Sequence, residues 1–369
     1  MNQQERSYVP HLGWLNFEAK DEVSELLYQG HFEAEEQIFV RCYLKPGDHF
    51  IDAGAHVGLY TLTAAKTIGD TGSVVAFEPD PQSSAFLKQN LDEHNIGNVT
   101  TLRVGLWSSN AELPFQRRED GKSSLNSIQP DAEDGMDTTK VVALKHVPEV
   151  ADADCNWNLM KIDCEGAEVE ILHGAEELLK SDQIETLLIE FNEHNLQRLK
   201  TSTRKLYETI LSSGFRLFRF DAETRSLIEV EVDQPIWYQN LVASKNPQAV
   251  EQRLQSTPPD LNQTTTDILQ RSNACKRFKE LENLETYKAE ARHSEANKTW
   301  AKSTEVALSE QKELAQYYAT QTQKKEATCE ELRQLNQELE QWAKHSEQSL
   351  VQQKELAQYY ATQTQKKEA

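Results

Sequence analysis

No stretch of this chain approaches the ~18 consecutive apolar residues that a bilayer-spanning helix needs. Its first residues, Met1 to Ser7, are polar and supply no apolar segment for a secretory leader. A soluble, cytoplasmic protein is therefore expected. The five cysteines (Cys42, Cys155, Cys164, Cys275 and Cys329) include no C-x-x-C pair. That excludes the common zinc spacings and argues against a disulfide framework, so reduced thiols are expected. Basic side chains are in short supply, 39 against 60 acidic ones. The deficit is confined to the front of the chain. From Gln248 onward 17 basic residues face 19 acidic ones, which leaves 22 against 41 in the first 247 residues. Such a surface repels polyphosphate, and a nucleic-acid partner would need a basic track.

Proline and glycine are absent from Asp267 to the end, where Ala, Glu, Lys, Gln and Leu dominate. This composition favours helix. The segment also repeats itself. Gln311 to Ala327 is identical to Gln353 to Ala369, and Trp300-Ala301-Lys302 matches Trp342-Ala343-Lys344 at the same 42-residue offset. Six heptads fit that offset, so each copy keeps the same face inward, as a coiled coil requires. Leu332, Leu335, Leu339 and Trp342 follow the 3-4-3 seam. Four regions are expected: an N-terminal extension (1–34), an α/β domain (35–245), a linker (246–266) holding Pro247, Pro258 and Pro259, and a helical coiled-coil tail (267–369).

The α/β domain alternates strand and helix signals. Strands are expected at Phe50-Ile51, Val74–Phe77, Val99–Val104, Leu159–Ile162 and Ile184–Ile189, with helices at 59–68, after Phe77 to about 94, 167–179 and 203–211 between or after them. Phe215–Phe220, Leu227–Val230 and Tyr238–Ala243 are late β runs, the last two with no helix pattern between them. The expected fold is a mostly parallel sheet with helices on both faces and an antiparallel finish. Ligands in such sheets sit at the carboxyl ends of the strands, where strand order reverses.

The strongest local signal is Phe50-Ile51-Asp52-Ala53-Gly54-Ala55-His56-Val57-Gly58. A strand ends in a carboxylate, Gly54 lets the backbone approach a ligand, and Gly58 opens a helix whose free N–H groups face it. The second strand ends in Glu78, where a carboxylate can accept both ribose hydroxyls of an adenosine cofactor. Dinucleotide sites favour three glycines; here the pattern is Asp-x-Gly-x-x-x-Gly. A carboxylate beside the turn suits the cationic amino group of S-adenosylmethionine and repels a pyrophosphate.

Leu44-Lys45-Pro46-Gly47-Asp48 leading into the glycine turn, Val75-Ala76-Phe77-Glu78-Pro79-Asp80, and Met160-Lys161-Ile162-Asp163-Cys164-Glu165-Gly166-Ala167-Glu168 form three blocks. Together they resemble the FkbM family of methyltransferases, over roughly residues 35 to 245. The third is the specific one, because the first two recur across class I methyltransferases. The resemblance implies a Rossmann-like class I methyltransferase fold with a seven-stranded sheet, S-adenosylmethionine as donor, and O-methylation of sugars, glycans or polyketides. There is one departure: Leu144-Lys145 stands where the family has Leu-Asp.

The turn, Glu78 and the resemblance together assign cofactor binding to Asp52, Gly54, Ala55, His56, Gly58, Glu78, Pro79, Gly105, Leu106 and Asp163. Methyl transfer to a hydroxyl needs in-line approach to the sulfonium and a group to take the proton. Asp163 is the first candidate, with Glu165 two residues on. Lys161 either steadies a developing oxyanion or pairs with a carboxylate. Glu190 and His194, at the end of the fifth strand, complete the catalytic candidates. Glu190 with Asp163 and Glu165 would offer oxygen ligands to Mg²⁺ or Ca²⁺, although no metal is expected to be required. The polar loop Gly121–Ser127 is read as a lid facing the acceptor.

The expected function is S-adenosylmethionine-dependent O-methylation of a glycan or other hydroxylated metabolite. The tail is expected to form homo-oligomers or to space the enzyme from glycan-synthesis partners. The alternative is a coiled-coil scaffold with a degenerate front domain. Nucleic-acid methylation is disfavoured by the acidic surface and by the lack of an Asn/Asp-Pro-Pro-aromatic run after the fourth strand.

Overall fold

Apolar residues that alternate along five parallel segments leave two hydrophobic faces to cover, and the chain covers them with helices. The computed structural model describes residues 4–256 except 10, 19–21, 29–31, 119–125, 131–136, 152–154 and 234. The repeat and coiled coil expected from residue 267 lie outside the described residues, as does most of the polar loop 121–127. No helix among the described residues is long and apolar enough to cross a membrane.

The chain opens with a hairpin, β1 (Gln4–Val9) and β2 (Gly13–Glu18), then α1 (Glu22–Tyr28) and α2 (Ala34–Tyr43). A βαβ succession follows: β3 (His49–Ala53), α3 (Leu59–Ile68), β4 (Ser73–Phe77), α4 (Pro81–Glu93) and β5 (Val99–Leu102). Four short strands come next, β6 (Gly105–Leu106), β7 (Ala111–Gln116), β8 (Ser127–Ile128) and β9 (Thr138–Val142), then the single-turn α5 (Pro148–Ala151). The second half comprises β10 (Leu159–Ile162), α6 (Glu168–Gly174), α7 (Glu176–Lys180), β11 (Thr186–Phe191), α8 (Glu193–Arg198) and α9 (Thr203–Ser212). It ends with β12 (Arg216–Asp221), β13 (Ser226–Glu229), β14 (Gln239–Ser244) and α10 (Pro247–Gln255).

The main sheet runs β13-β12-β14-β11-β10-β3-β4-β5. β14 is antiparallel to both neighbours, as the late β runs suggested. The sheet has eight strands rather than seven, because β13 folds back on β12 and extends the edge. Strand alternation sorts the core into two layers. Phe50, Val74, Leu159, Leu188 and Val242 point to the layer that includes α2, α3 and α10. Ile51, Val75, Met160, Leu187 and Leu241 point to the layer that includes α6 and α9. β6 to β9 form a separate small sheet.

Three boundaries differ from the sequence reading. The hairpin belongs to the domain rather than to an extension: Leu15 and Phe17 are fully buried, and Asn90 of α4 accepts hydrogen bonds from the backbone and side chain of Asn16. The helix expected over 167–179 divides at Ala175. Gly174 packs so tightly there that a Cβ would lie 2.0 Å from the Trp107 carbonyl oxygen.

Residues 247–255, expected within a linker, form α10. Asn246 caps it by accepting from the Ala249 N–H, and Pro247 stands at its first turn, where a missing N–H costs nothing. Val250 and Leu254 are buried, and Arg253 reaches the Tyr43 carbonyl and the Asp48 carboxylate. A chain cut after Ser256 is expected to fold, whereas one cut after Asn246 should lose at least ~3 kcal/mol, since each buried aliphatic contributes ~1.5–3 kcal/mol. Urea melts of the two would decide; equal midpoints would make α10 dispensable.

Candidate active site

β3 and β10 are parallel neighbours in the middle of the sheet, and β4 continues the order on the other side of β3. The loops after β3 and β10 therefore emerge together at the carboxyl edge, where the strand order reverses. A cleft opens there, lined among others by Gly54, His56, Glu78, Asp163, Cys164 and Glu165. Its apolar wall comes from Phe77, Val104, Leu106, Phe115 and Ile128, and Pro79 and Gly105 also line it.

The glycine turn is held from below. The N–H groups of Gly54 and Ala55 both donate to the Phe77 carbonyl, at 3.1 and 2.9 Å. Gly54 has φ +85°, and an added Cβ would lie 2.0 Å from the Asp163 carbonyl oxygen. Only glycine lets these two loops meet so closely. His56 takes a left-handed conformation, φ +49°, without being glycine, and its N–H donates to Glu78 Oε2 at 2.8 Å. Glu78 Oε1 accepts from the Asp80 N–H at 2.8 Å. The carboxyl of Glu78 is thus fixed at the cleft by two backbone donors, with lone pairs left for a ligand. Burial pushes its pKa up to about 7.

At the end of β10, Lys161 and Asp163 are two residues apart and so share a face. Lys161 Nζ donates to Asp163 Oδ2 at 2.7 Å and lies 4.5 Å from the centre of the Tyr60 ring. Burial works against its charge, but the carboxylates of Asp163, Glu33 and Asp52 outweigh burial and raise its pKa. Glu165, at φ +54°, accepts from Asn195 Nδ2 at 2.7 Å; burial and the Asp163 charge push it up to about 8. Glu190 of β11 is 5 % exposed, and burial, with the charges of Asp163, Glu168 and Glu165, raises it well above the carboxylate range. Glu168 opens α6 and accepts from the N–H groups of Cys164 and Gly166, shaping the loop. Burial raises the Cys164 thiol, which leaves it a poor nucleophile.

Of the expected cofactor residues, Gly54, His56, Glu78, Pro79, Gly105, Leu106 and Asp163 line the cleft. Asp52, Ala55 and Gly58 lie beneath its wall. Asp52 is 1 % exposed and accepts from the Thr61 hydroxyl at 2.6 Å, so it is placed to brace the turn rather than to meet a ligand's ammonium. Gly58 caps α3 at φ +98° and packs against Leu62 and Leu87. Of the catalytic candidates, Asp163 and Glu165 line the cleft, and Lys161 and Glu190 stand behind them. His194 is exposed on α8, outside this cluster, because the helix turns it to solvent. Lys145 pairs with Glu177 on the surface, at 2.8 Å.

Sequence reading missed Glu33. Its carboxyl accepts from Tyr60 at 2.7 Å, Asn240 at 2.9 Å and Tyr238 at 3.1 Å, and burial raises its pKa. Asn195 was missed as well. Asn126 and Ser127, at the end of the polar loop, do line the cleft.

The residues present fit S-adenosylmethionine. Among the described residues the lining holds three carboxylates, Glu78, Asp163 and Glu165, and no lysine or arginine. Such a surface accepts ribose hydroxyls and a cationic amino-acid moiety and repels a pyrophosphate. The apolar wall beside Glu78 suits an adenine ring.

Affinity should follow the Glu78 titration. The ionised carboxylate accepts hydroxyls better than the acid does, so binding of S-adenosylhomocysteine is expected to strengthen as pH rises from about 6 to about 8 and then level off. In Glu78→Gln the affinity should be lower and Glu78's contribution to that slope lost. Calorimetry across this range would test it, and a wild-type-like profile in the variant would assign the titration to another group.

The stretch that carries the cleft is similar to known proteins. Residues 52–217 match the family model described as the methyltransferase FkbM domain. The chain is 29 % identical over 164 residues to Methyltransferase 1 of Beauveria bassiana, covering 38 % of this chain and 66 % of that one. It is 30 % identical over 149 residues to the hexuronic acid methyltransferase AglP of Haloferax volcanii (40 % and 59 % of the two chains). It is 32 % identical over 162 residues to the methyltransferase sdnD of Sordaria araneosa (36 % and 62 %). The chain thus spans somewhat less than two thirds of these relatives' own lengths. The family match and these relatives thus agree with the cleft chemistry, over residues 52–217, in pointing to an S-adenosylmethionine-dependent methyltransferase domain similar to the FkbM family.

Proposed function

We propose that this protein O-methylates a hydroxyl of a carbohydrate or related hydroxylated metabolite. The observation that carries the reading is that one cleft is lined by Glu78, a ribose-type acceptor, together with Asp163 and Glu165. S-adenosylmethionine, when bound, supplies an electrophilic methyl group. Glu78 holds the ribose, and Gly54 gives the backbone its close approach. Asp163 takes the acceptor proton: Lys161 holds one of its oxygens, which leaves the other for the hydroxyl. Glu165, fixed by Asn195, orients the acceptor beside it. The hexuronic acid named for the Haloferax volcanii relative supports a sugar acceptor here.

Asp163→Asn should lower turnover by about 10²–10⁴-fold and change S-adenosylhomocysteine affinity far less. Equal turnover would remove Asp163 from the proton-transfer role.

The tail is proposed to hold copies of the enzyme together or at a set distance from a partner. The whole-heptad repeat supports this, since one 42-residue unit can be lost without breaking the seam. Removing one unit should change product length or partner binding; no change would end the spacer reading. The test of the whole is calorimetric binding of S-adenosylmethionine and S-adenosylhomocysteine with NAD as control, followed by labelled methyl transfer to uronic acids, nucleotide sugars and oligosaccharides. Micromolar binding of the first two and label in a sugar are the expected results. A folded protein that binds neither would favour the scaffold reading.

A further inference from the structure

We infer that Asp163, Glu165 and Glu190 form a site for a hard divalent cation of the Mg²⁺ or Mn²⁺ class at the acceptor end of the cleft. A ligand oxygen from each of the three lies within 4.8 Å of the others. The fold enforces this closeness. Ile162 of β10 is in register with Ile189 of β11, so the next residues, Asp163 and Glu190, leave adjacent strand ends. The left-handed turn at Glu165 brings the third carboxylate back over them.

The hydrogen bonds divide these oxygens into two sets. Lys161 holds Asp163 Oδ2 and Asn195 holds Glu165 Oε2, each at 2.7 Å. Arg198 stands 3.7 Å from that same Glu165 oxygen. These are the outer contacts that orient ligands in metal sites. Asp163 Oδ1 and Glu165 Oε1 accept no hydrogen bond among the described residues, and neither does either oxygen of Glu190. Glu190 is the independent sign of a missing ligand. It is 5 % exposed, and its Oε2 is buried with no partner. A buried acceptor without a donor is costly and rare.

The donor set selects the ion. All three ligands are carboxylate oxygens, and among the described residues no histidine or cysteine joins them, so the site disfavours zinc and copper and suits Mg²⁺ or Mn²⁺. Three protein ligands leave positions for water and for oxygens of the acceptor. This role rests on the methyl-transfer reading of the cleft. A hydroxyl bound at the cation would be more acidic. Its oxygen would then form the bond to the methyl carbon as the carbon–sulfur bond breaks, and, with Asp163 Oδ1 engaged by the cation, the hydroxyl proton would leave to water. A vicinal diol or a uronic acid, with two oxygens to offer, fits best.

The test uses Mn²⁺ as the probe, titrated into the full chain and followed by electron paramagnetic resonance, with S-adenosylhomocysteine binding measured on the same samples. The wild type should bind one Mn²⁺ that Mg²⁺ displaces. Glu190→Gln should weaken it by at least about tenfold, and Glu165→Gln should do likewise should the first variant fail to fold. S-adenosylhomocysteine binding should persist in Glu190→Gln, whose side chain stands behind the cleft lining. No competable Mn²⁺ in a chain that binds S-adenosylhomocysteine would overturn the site, leaving the three groups as a hydrated acid cluster. Mn²⁺ binding unchanged by either substitution would also overturn it, by placing the ion elsewhere. Failure of the methyl-transfer reading would show separately, as loss of S-adenosylhomocysteine binding in the wild type.

Discussion

Replacing Gly54 with valine is expected to abolish S-adenosylmethionine binding and to lower stability by several kcal/mol. Two costs combine. The φ of +85° is one that L side chains enter at ~1–2 kcal/mol. The larger cost is contact. A Cβ at Gly54 would lie 2.0 Å from the Asp163 carbonyl oxygen and 3.2 Å from Cys164 Sγ. Both are parts of the β10 loop, and the oxygen is backbone that no rotamer change can move aside. Overpacking of this kind costs ~1–3 kcal/mol even where a core can relax. Relief would require the β3 and β10 loops to separate, which would move Gly54 and Asp163 apart across the ligand site. Gly69→Ala is the control. Gly69 also has positive φ, at +65°, but a Cβ there meets nothing within 4 Å. With ψ at −172° it sits where only glycine is at ease, so the variant should lose ~1–3 kcal/mol and still bind cofactor normally. Thermal melting with S-adenosylhomocysteine calorimetry on both variants would check this. A Gly54→Val protein that binds like wild type would show that the loops yield, and the close approach would not be what builds the site.

Why this turn was legible in the sequence, and Glu33 was not, is a matter of range. Asp52 to Gly58, Glu78 and the Lys161 to Glu168 block each sit at the end of a short apolar run. The period-2 rule therefore placed them on one sheet edge before any contact was known. Helix 59–68 and strand 159–162 were read with the boundaries observed. Glu33 reaches the site only through Tyr60, Tyr238 and Asn240, partners 27 to 207 residues away, and no local pattern marks such a meeting. The hairpin is similar: Asn16 finds Asn90 across 74 residues. Other misses had a signal that was misjudged. Pro247 reads as a breaker, yet after Asn246 it stands at the first turn of a helix, where proline is tolerated. Asp52 reads as a ligand carboxylate because it stands beside the turn, whereas in the structure its side chain meets Thr61 and the charge of buried Lys161.

Lys161→Met is expected to be the most damaging single change near the cleft after Gly54→Val, with a loss of about 3–5 kcal/mol at neutral pH. Methionine keeps much of the stem and its packing on Tyr60 but removes the cation. Lys161 is 2 % exposed and answers three carboxylates, those of Asp163, Glu33 and Asp52. For Glu33 and Asp52, burial is the largest influence and raises the pKa, and Lys161 is the largest influence opposing it. Without Lys161 both would rise further. An acid whose folded pKa lies above its unfolded value stabilises the fold below the unfolded pKa and loses that contribution as pH rises through the folded one. The deficit of the variant should therefore be smallest in acid, where these groups are protonated, and widen toward neutral and alkaline pH. Turnover should also fall more than S-adenosylhomocysteine affinity, since Asp163 would lose the partner that fixes one of its oxygens. Urea melts at several pH values, with steady-state kinetics, would measure both effects. A deficit independent of pH would mean that Lys161 contributes packing alone. A normal turnover beside lowered stability would make it a structural ion pair, with Asp163 oriented by something else.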